Sequence, residues 1–115
     1  MNNKNFDSIV KSRTELITKT LATKGDEYAS VIDRLHNFKS AGRIGDCTPE
    51  QALKGMMLKH LVSVFDIINN LVIHSIPTPT RECINEKVGD SINYLILLEA
   101  LLKERLINDE HNNKR

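Results

Sequence analysis

The chain has 115 residues, and its 16 Lys and Arg nearly balance its 15 Asp and Glu, leaving a formal net charge of +1. A near-neutral chain lacks the cationic field that holds a polymeric nucleic acid by its phosphates, which argues against that class of partner. No run reaches the roughly 18 apolar residues of a bilayer crossing, and the start MNNKNFDS has no apolar signal-peptide core. We therefore expect one cytoplasmic domain over residues 1–115, with no membrane partner.

The first half of the chain predicts two helices that meet at a glycine. Apolar residues recur at helical spacing over residues 5–22, and Lys24-Gly25-Asp26 interrupts the pattern. A second apolar stripe then runs through Tyr28, Val31, Ile32, Leu35 and Phe38. Two glycines within residues 41–47 predict the end of this second helix.

The second half predicts two longer helices separated by prolines. Thr48 is an expected N-cap, because Pro follows it and Gln stands three residues beyond it. The third helix is then expected to run to about Leu71. Two prolines within residues 76–80 disfavour helix, and Thr80 is the expected N-cap of the last helix. The polar segment 108–115 is expected to be disordered.

Four helices with mainly short connections predict an all-α, compact four-helix bundle with up-and-down packing. We expect it to be ordered over about residues 5–107, followed by the polar tail 108–115. The apolar surface of the third helix is broad enough to contact neighbours on more than one side, which favours a homo-oligomer.

Three polar side chains share one face of the last helix, because Glu86, Asp90 and Asn93 stand four and then three residues apart. The ordinary interpretation is a face in water. The same face continues as leucines, however, and a carboxylate on a buried stripe needs a partner. Two interpretations of Asp90 stay open: a ligand or metal site, or an ion pair with Lys59 or Arg81.

His60 falls within an apolar stripe of the third helix, beside a polar stripe. That polar stripe consists of Lys59, Ser63, Asp66 and Asn70. A histidine on an apolar face is most often a core residue with a satisfied hydrogen bond. A functional role for His60 gains weight only if Asp90 faces it.

The segment His36-Asn37-Phe38-Lys39 combines donor and acceptor groups with an aromatic ring, which suits an amide or a base edge with a ring to stack on. The chain contains no GxGxxG, GxxxxGK[ST], GxSxG or HExxH motif and no CxxC pair. These absences argue against dinucleotide folds, P-loop enzymes, α/β hydrolases and the common zinc classes.

The run Glu86-Lys87-Val88-Gly89-Asp90, followed by apolar residues, resembles the last metal-binding helix of the MazG-like all-α nucleotide pyrophosphohydrolases. The order Lys-Gly-Asp-Glu-Tyr, His-Asn-Phe, Met-x-x-Lys-His and Asp-x-x-Asn-Tyr is similar to small phage proteins of the nucleotide-modification-associated, MazG-related kind. The likeness covers about residues 15–103. It implies an oligomeric helical bundle that hydrolyses nucleoside triphosphates to monophosphate and pyrophosphate with Mg²⁺.

The resemblance implies magnesium ligands at Glu86 and Asp90. Lys87 stands where the family has a further Glu ligand, and the family's earlier Glu-x-x-Glu is missing, with Lys59, His60, Ser63 and Asp66 on the comparable helix. His60 and Asp66 are the candidate catalytic residues. The candidate ligand-binding residues are Tyr28, His36, Asn37, Lys39, Lys59, His60, Asn93 and Tyr94.

Three hypotheses follow. The first is a magnesium-dependent nucleotide pyrophosphohydrolase. The second is a catalytically silent binder that sequesters a nucleotide or a nucleotide-derived signal, as a phage protein does against a host defence; the missing carboxylates favour it, because magnesium requires hard oxygen ligands. The third is a helical interaction scaffold without a ligand.

Overall fold

The structure, a computed structural model, describes residues 1–27, 33–71 and 77–113, with the backbone alone for residues 23–27. Four helices occupy these ranges: α1 (Asn3–Glu27), α2 (His36–Gly45), α3 (Pro49–Asn70) and α4 (Arg81–Asn113). No strand is present in them, which confirms the predicted all-α class with four helices. Within the same ranges, no helix is both long and apolar enough to cross a membrane.

The helices α3 and α4 begin at the two side-chain N-caps that the sequence predicted. The Thr48 hydroxyl accepts a hydrogen bond from the Gln51 backbone N–H at 3.1 Å, and the Thr48 N–H donates to the Gln51 side chain at 2.9 Å. The Thr80 hydroxyl accepts from the Cys83 N–H at 3.1 Å. Both N-cap predictions are confirmed, because a capping pattern depends only on residues within one turn.

The predicted break at Lys24-Gly25-Asp26 is wrong, since α1 continues through it to Glu27. One glycine inside a helix costs only about 1 kcal/mol, which flanking turns can offset. The predicted second helix included residues 28–32, which lie outside the described residues. The observed α2 begins at His36, after a turn in which the Asp33 carboxylate accepts from the Leu35 N–H at 2.9 Å.

The helix α2 passes through Gly42 and ends at Gly45, within residues 41–47 where the sequence predicted its end. Gly42 is buried where the chain turns back: the Cys47 N–H donates to the Gly42 carbonyl at 2.8 Å. Asp46 adopts the left-handed conformation (φ 53°) that closes the helix, a backbone state that Asp tolerates better than most residues. The glycine thus allows a close backbone approach and does not break the helix.

The predicted disorder over residues 108–115 is wrong for residues 108–113, which continue α4 to Asn113. Residues 114–115 lie outside the described residues. Adding residues to an existing helix costs little compared with starting one, so a polar segment can extend a packed helix.

The core lies between α2, α3 and α4. Its buried members are Leu35, Phe38, Leu53 and Leu101, with Met57, Tyr94, Leu97 and Leu98 packed around them. Among the described helices, α1 packs against α4 alone. The Arg13 guanidinium makes part of this contact by donating to the Asn85 carbonyl at 3.3 Å.

The molecule is more extended than the predicted compact bundle. Its radius of gyration is 17.7 Å and its extents are 59 × 33 × 29 Å, whereas a globular chain of this length has a radius of gyration of about 13 Å. Its accessible surface is 9025 Å², against about 6,300 Å² for a folded monomer of its 13.0 kDa mass. The excess arises because α4 is much longer than the helices packed on it, and because α1 has one helical neighbour among the described helices.

We expect Gly42→Ala and Gly55→Ala to have opposite effects on stability. A Cβ at Gly42 would lie 2.8 Å from the Cys47 carbonyl oxygen, so this substitution should destabilise the fold by about 1–3 kcal/mol. A Cβ at Gly55 would meet nothing within 4 Å, so this one should stabilise α3 by about 0.5–1 kcal/mol. Urea unfolding at one protein concentration measures both, and equal effects would contradict the packing described for Gly42.

Candidate functional site

His60 of α3 and Asp90 of α4 meet across the seam between these two helices. The His60 Nδ1 atom lies 3.4 Å from an Asp90 carboxylate oxygen, and the two side chains are 19% and 39% exposed. Asp90 therefore faces His60, which is the condition under which we expected His60 to have a functional role. Within the described ranges no ion pair joins Asp90 to Lys59 or Arg81, the two partners that the sequence offered.

Tyr94 follows Asp90 by one helical turn and stacks on His60. Their ring centroids are 4.9 Å apart, with 29° between the planes. Tyr94 also forms a T-shaped pair with Phe38 of α2, at a centroid distance of 6.5 Å and an angle of 71°. Three aromatic rings thus connect α2, α4 and α3, and both geometries are ones that aromatic pairs prefer.

Asn93 precedes Tyr94 and carries a buried polar atom that has no hydrogen-bond partner among the described residues. Its side-chain carbonyl oxygen is shielded from solvent and accepts no hydrogen bond from the described residues. A buried acceptor in that state costs about 1–3 kcal/mol. A donor from a bound molecule would remove this cost, which makes Asn93 the most informative polar group of the seam.

The described carboxylates do not form a magnesium cluster. Glu86 is exposed and lies 3.6 Å from the ammonium group of Lys87, while Asp90 contacts His60. Asp66 is exposed and lies six residues after His60, about 120° away around α3. No three His, Cys, Asp or Glu side chains of the described ranges lie close enough to share a metal ion. Among the described residues, Glu86 and Asp90 therefore have no third donor beside them, and the magnesium site at these two residues stays a prediction.

Lys59 is exposed on α3 next to His60, and the described residues give its ammonium group no ion pair. It belongs to the predicted polar stripe, since Asp66 follows it by seven residues and so returns to the same side of the helix. This side lies about 100° around α3 from His60, where the charge of Lys59 is exposed to solvent.

The candidate ligand-binding residues of α2 lie away from the α3–α4 seam. Lys39 forms ion pairs with Asp33 and with Glu104, and Glu104 is about 21 Å along α4 from Asp90. The hydrogen bond from Lys39 holds the pKa of Asp33 below its usual range, and the Asp33 and Glu104 carboxylates raise the pKa of Lys39. The charge of Lys39 is thus already compensated.

Three further predicted residues are placed as follows. His36 and Asn37 are exposed, and the His36 ring lies 3.2 Å from the Ser40 hydroxyl. Neither residue makes a described contact with the seam. Tyr28 lies outside the described residues.

A second polar group was missed by sequence reasoning. Arg105 of α4 forms a two-pronged pair with Glu50 of α3, with one N–O distance of 2.9 Å. The pair borders a cleft of about 300 Å³ that Lys39, Arg43 and Glu104 also line. No sequence signal connects two residues 55 positions apart, so this group required the tertiary structure.

No protein-family model, curated protein or solved structure matches this chain in comparisons with known proteins. The likeness to the MazG-related proteins therefore stays a prediction from the motifs.

We expect Glu50 to make stability sensitive to acid. The Arg105 guanidinium lowers the pKa of the Glu50 carboxyl from its usual 4.5, so the folded state holds its charge to lower pH than the unfolded state. This contribution is complete above pH 4.5 and is lost as the pH falls through the lowered pKa. Glu50→Gln should therefore reduce stability at pH 7 and flatten its decline in acid. Urea unfolding from about pH 7 to 3 tests this, and parallel curves for the two proteins would contradict it.

Proposed function

We propose that this protein binds a nucleotide or a nucleotide-derived small molecule at the α3–α4 seam and holds it without cleaving it. The observation that carries the proposal is the buried carbonyl oxygen of Asn93, which has no partner among the described residues and stands one residue before Tyr94, whose ring stacks on His60. An acceptor next to aromatic faces matches the edge and the face of a purine or pyrimidine.

Each seam residue would have a defined part in this complex. The Asn93 oxygen accepts from an amino group of the base, which stacks on the aromatic pair. Asp90 accepts from a sugar hydroxyl, because its carboxylate is 39% exposed and is oriented by His60. Lys59 contributes a positive charge to a phosphate at the edge of the seam.

The side chains of the seam favour nucleotide binding over hydrolysis, because few of them can act as magnesium ligands. Pyrophosphohydrolysis of the MazG type uses several carboxylates to hold magnesium, and here only Glu86 and Asp90 match that pattern. Lys87 occupies the position of a third ligand and pairs with Glu86. A cation at that position repels a metal ion and attracts a phosphate.

A helical interaction scaffold is the second candidate, and the large accessible surface of the chain favours it. Under this alternative the His60–Asp90 contact and the aromatic series only join helices, and no small molecule is retained.

To test the proposed binding, the pure protein is incubated with nucleoside triphosphates, cyclic nucleotides and ADP-ribose, each with and without Mg²⁺. Chromatography follows each compound before and after the protein is denatured. We expect one class to disappear from solution and to return intact on denaturation. Monophosphate and pyrophosphate formed only with Mg²⁺ would identify the hydrolase instead, and no change in any compound would favour the scaffold.

Asn93→Leu should raise stability and abolish binding together. Leucine removes the unpaired buried oxygen, so the free energy of unfolding should rise by about 1 kcal/mol, while the acceptor for the ligand is lost. Thermal unfolding and the retention assay measure the two effects. Asn112→Leu, at an exposed position of the same helix, is the matched control and should change neither. Retained binding in Asn93→Leu would remove Asn93 from the site.

A further inference from the structure

The second half of α4 carries an uncovered apolar stripe on its outer side. Leu95, Leu102 and Leu106 are 52%, 51% and 56% exposed. With three neighbours they line one shallow groove: Leu95, Leu98, Glu99, Leu102, Lys103 and Leu106. The positions 95, 99, 102 and 106 are four, three and four residues apart, the spacing of a seam between two packed helices.

None of the described helices covers this stripe. The core face of α4, with Tyr94, Leu97 and Leu101, is turned toward α2 and α3. The helix α1 meets α4 near Gly89, about 20 Å along α4 from Leu102. Three half-exposed leucines lie in this one groove. The whole chain also has about 2,700 Å² more accessible surface than a folded monomer of its mass. Together, the two observations favour a protein partner at the groove.

We propose that a second copy of this chain occupies the groove, with the two α4 helices antiparallel about a twofold axis near residues 100–101. Positions 95 and 106 are equally far from that axis, so Leu95 would pack on Leu106 of the partner subunit. Glu99 and Lys103, which pair within one helix, are placed almost symmetrically about the same axis. Glu99 would therefore also reach Lys103 of the partner subunit, which gives a self-complementary surface.

The accessible surface of the whole chain is large enough for a dimer interface. A specific dimer buries about 600–1,000 Å² on each subunit, which is well below the excess surface of this chain. Because the charge pair lies inside the apolar stripe, the surface matches an identical antiparallel helix better than a purely apolar partner.

Leu102→Glu is the first test, because it places two carboxylates next to the axis without touching the core. Sedimentation velocity of the full chain should give twice the 13.0 kDa mass for the wild type and 13.0 kDa for Leu102→Glu, with unchanged helicity by circular dichroism. The matched control is Ile44→Glu on α2, an 88% exposed apolar residue outside the groove, which should stay dimeric.

The charge pair tests the antiparallel orientation. Glu99→Lys or Lys103→Glu alone should weaken the dimer at least about tenfold at low salt, and the double variant should restore it. A wild type that sediments at 13.0 kDa over the whole concentration range, a dimer that survives Leu102→Glu, or a double variant that stays weak would each overturn the proposal.

Discussion

An α-helix rises 1.5 Å per residue, so the 33 residues of α4 extend about 50 Å while the 22 residues of α3 extend about 33 Å. α4 therefore reaches well beyond the helix on which it packs, and every other element is placed along it. The core forms where α2 and α3 meet its middle, around the fully buried Leu53. α1 contacts the first turns of α4, and no described helix covers the outer side of the second half of α4.

The inner face of α4 has an apolar centre with a polar pair at each end. Asp90 meets His60 at one end, Tyr94 and Leu101 fill the centre, and Glu104 meets Lys39 at the other. Exposed ion pairs contribute little to stability, but an ionic group that finds its partner in only one alignment penalises alternative alignments of helices. The apolar centre supplies the stability, and the two ends fix how α4 sits on α2 and α3.

The proposed ligand seam and the proposed dimer surface lie on nearly opposite sides of one helix. Asn93 and Leu95 are two residues apart, which separates their side chains by about 160° around α4. Self-association through the stripe would therefore leave the seam open. Loss of ligand binding and loss of the dimer are separable outcomes, because no residue takes part in both.

Features that depend on neighbouring residues along the chain were determined by the sequence alone. The caps at Thr48 and Thr80, the extent of α3 and the number of helices all follow from local patterns, which act through neighbouring backbone groups. The polar character of His60 and Asp90 within apolar stripes was visible in the same way. The likeness to MazG-related proteins also rests on such short motifs.

The tertiary structure decided which of these residues meet. Gly42 lies inside α2 and allows the backbone near Cys47 to approach closely, whereas a local sequence pattern treats a glycine as a helix-ending signal. The ion-pair partners Asp90 of His60, Glu104 of Lys39 and Arg105 of Glu50 lie on another helix, 30 to 65 residues away in the chain. A contact between distant residues depends on how far each helix extends and how it is rotated against its neighbour, and no local pattern specifies either quantity.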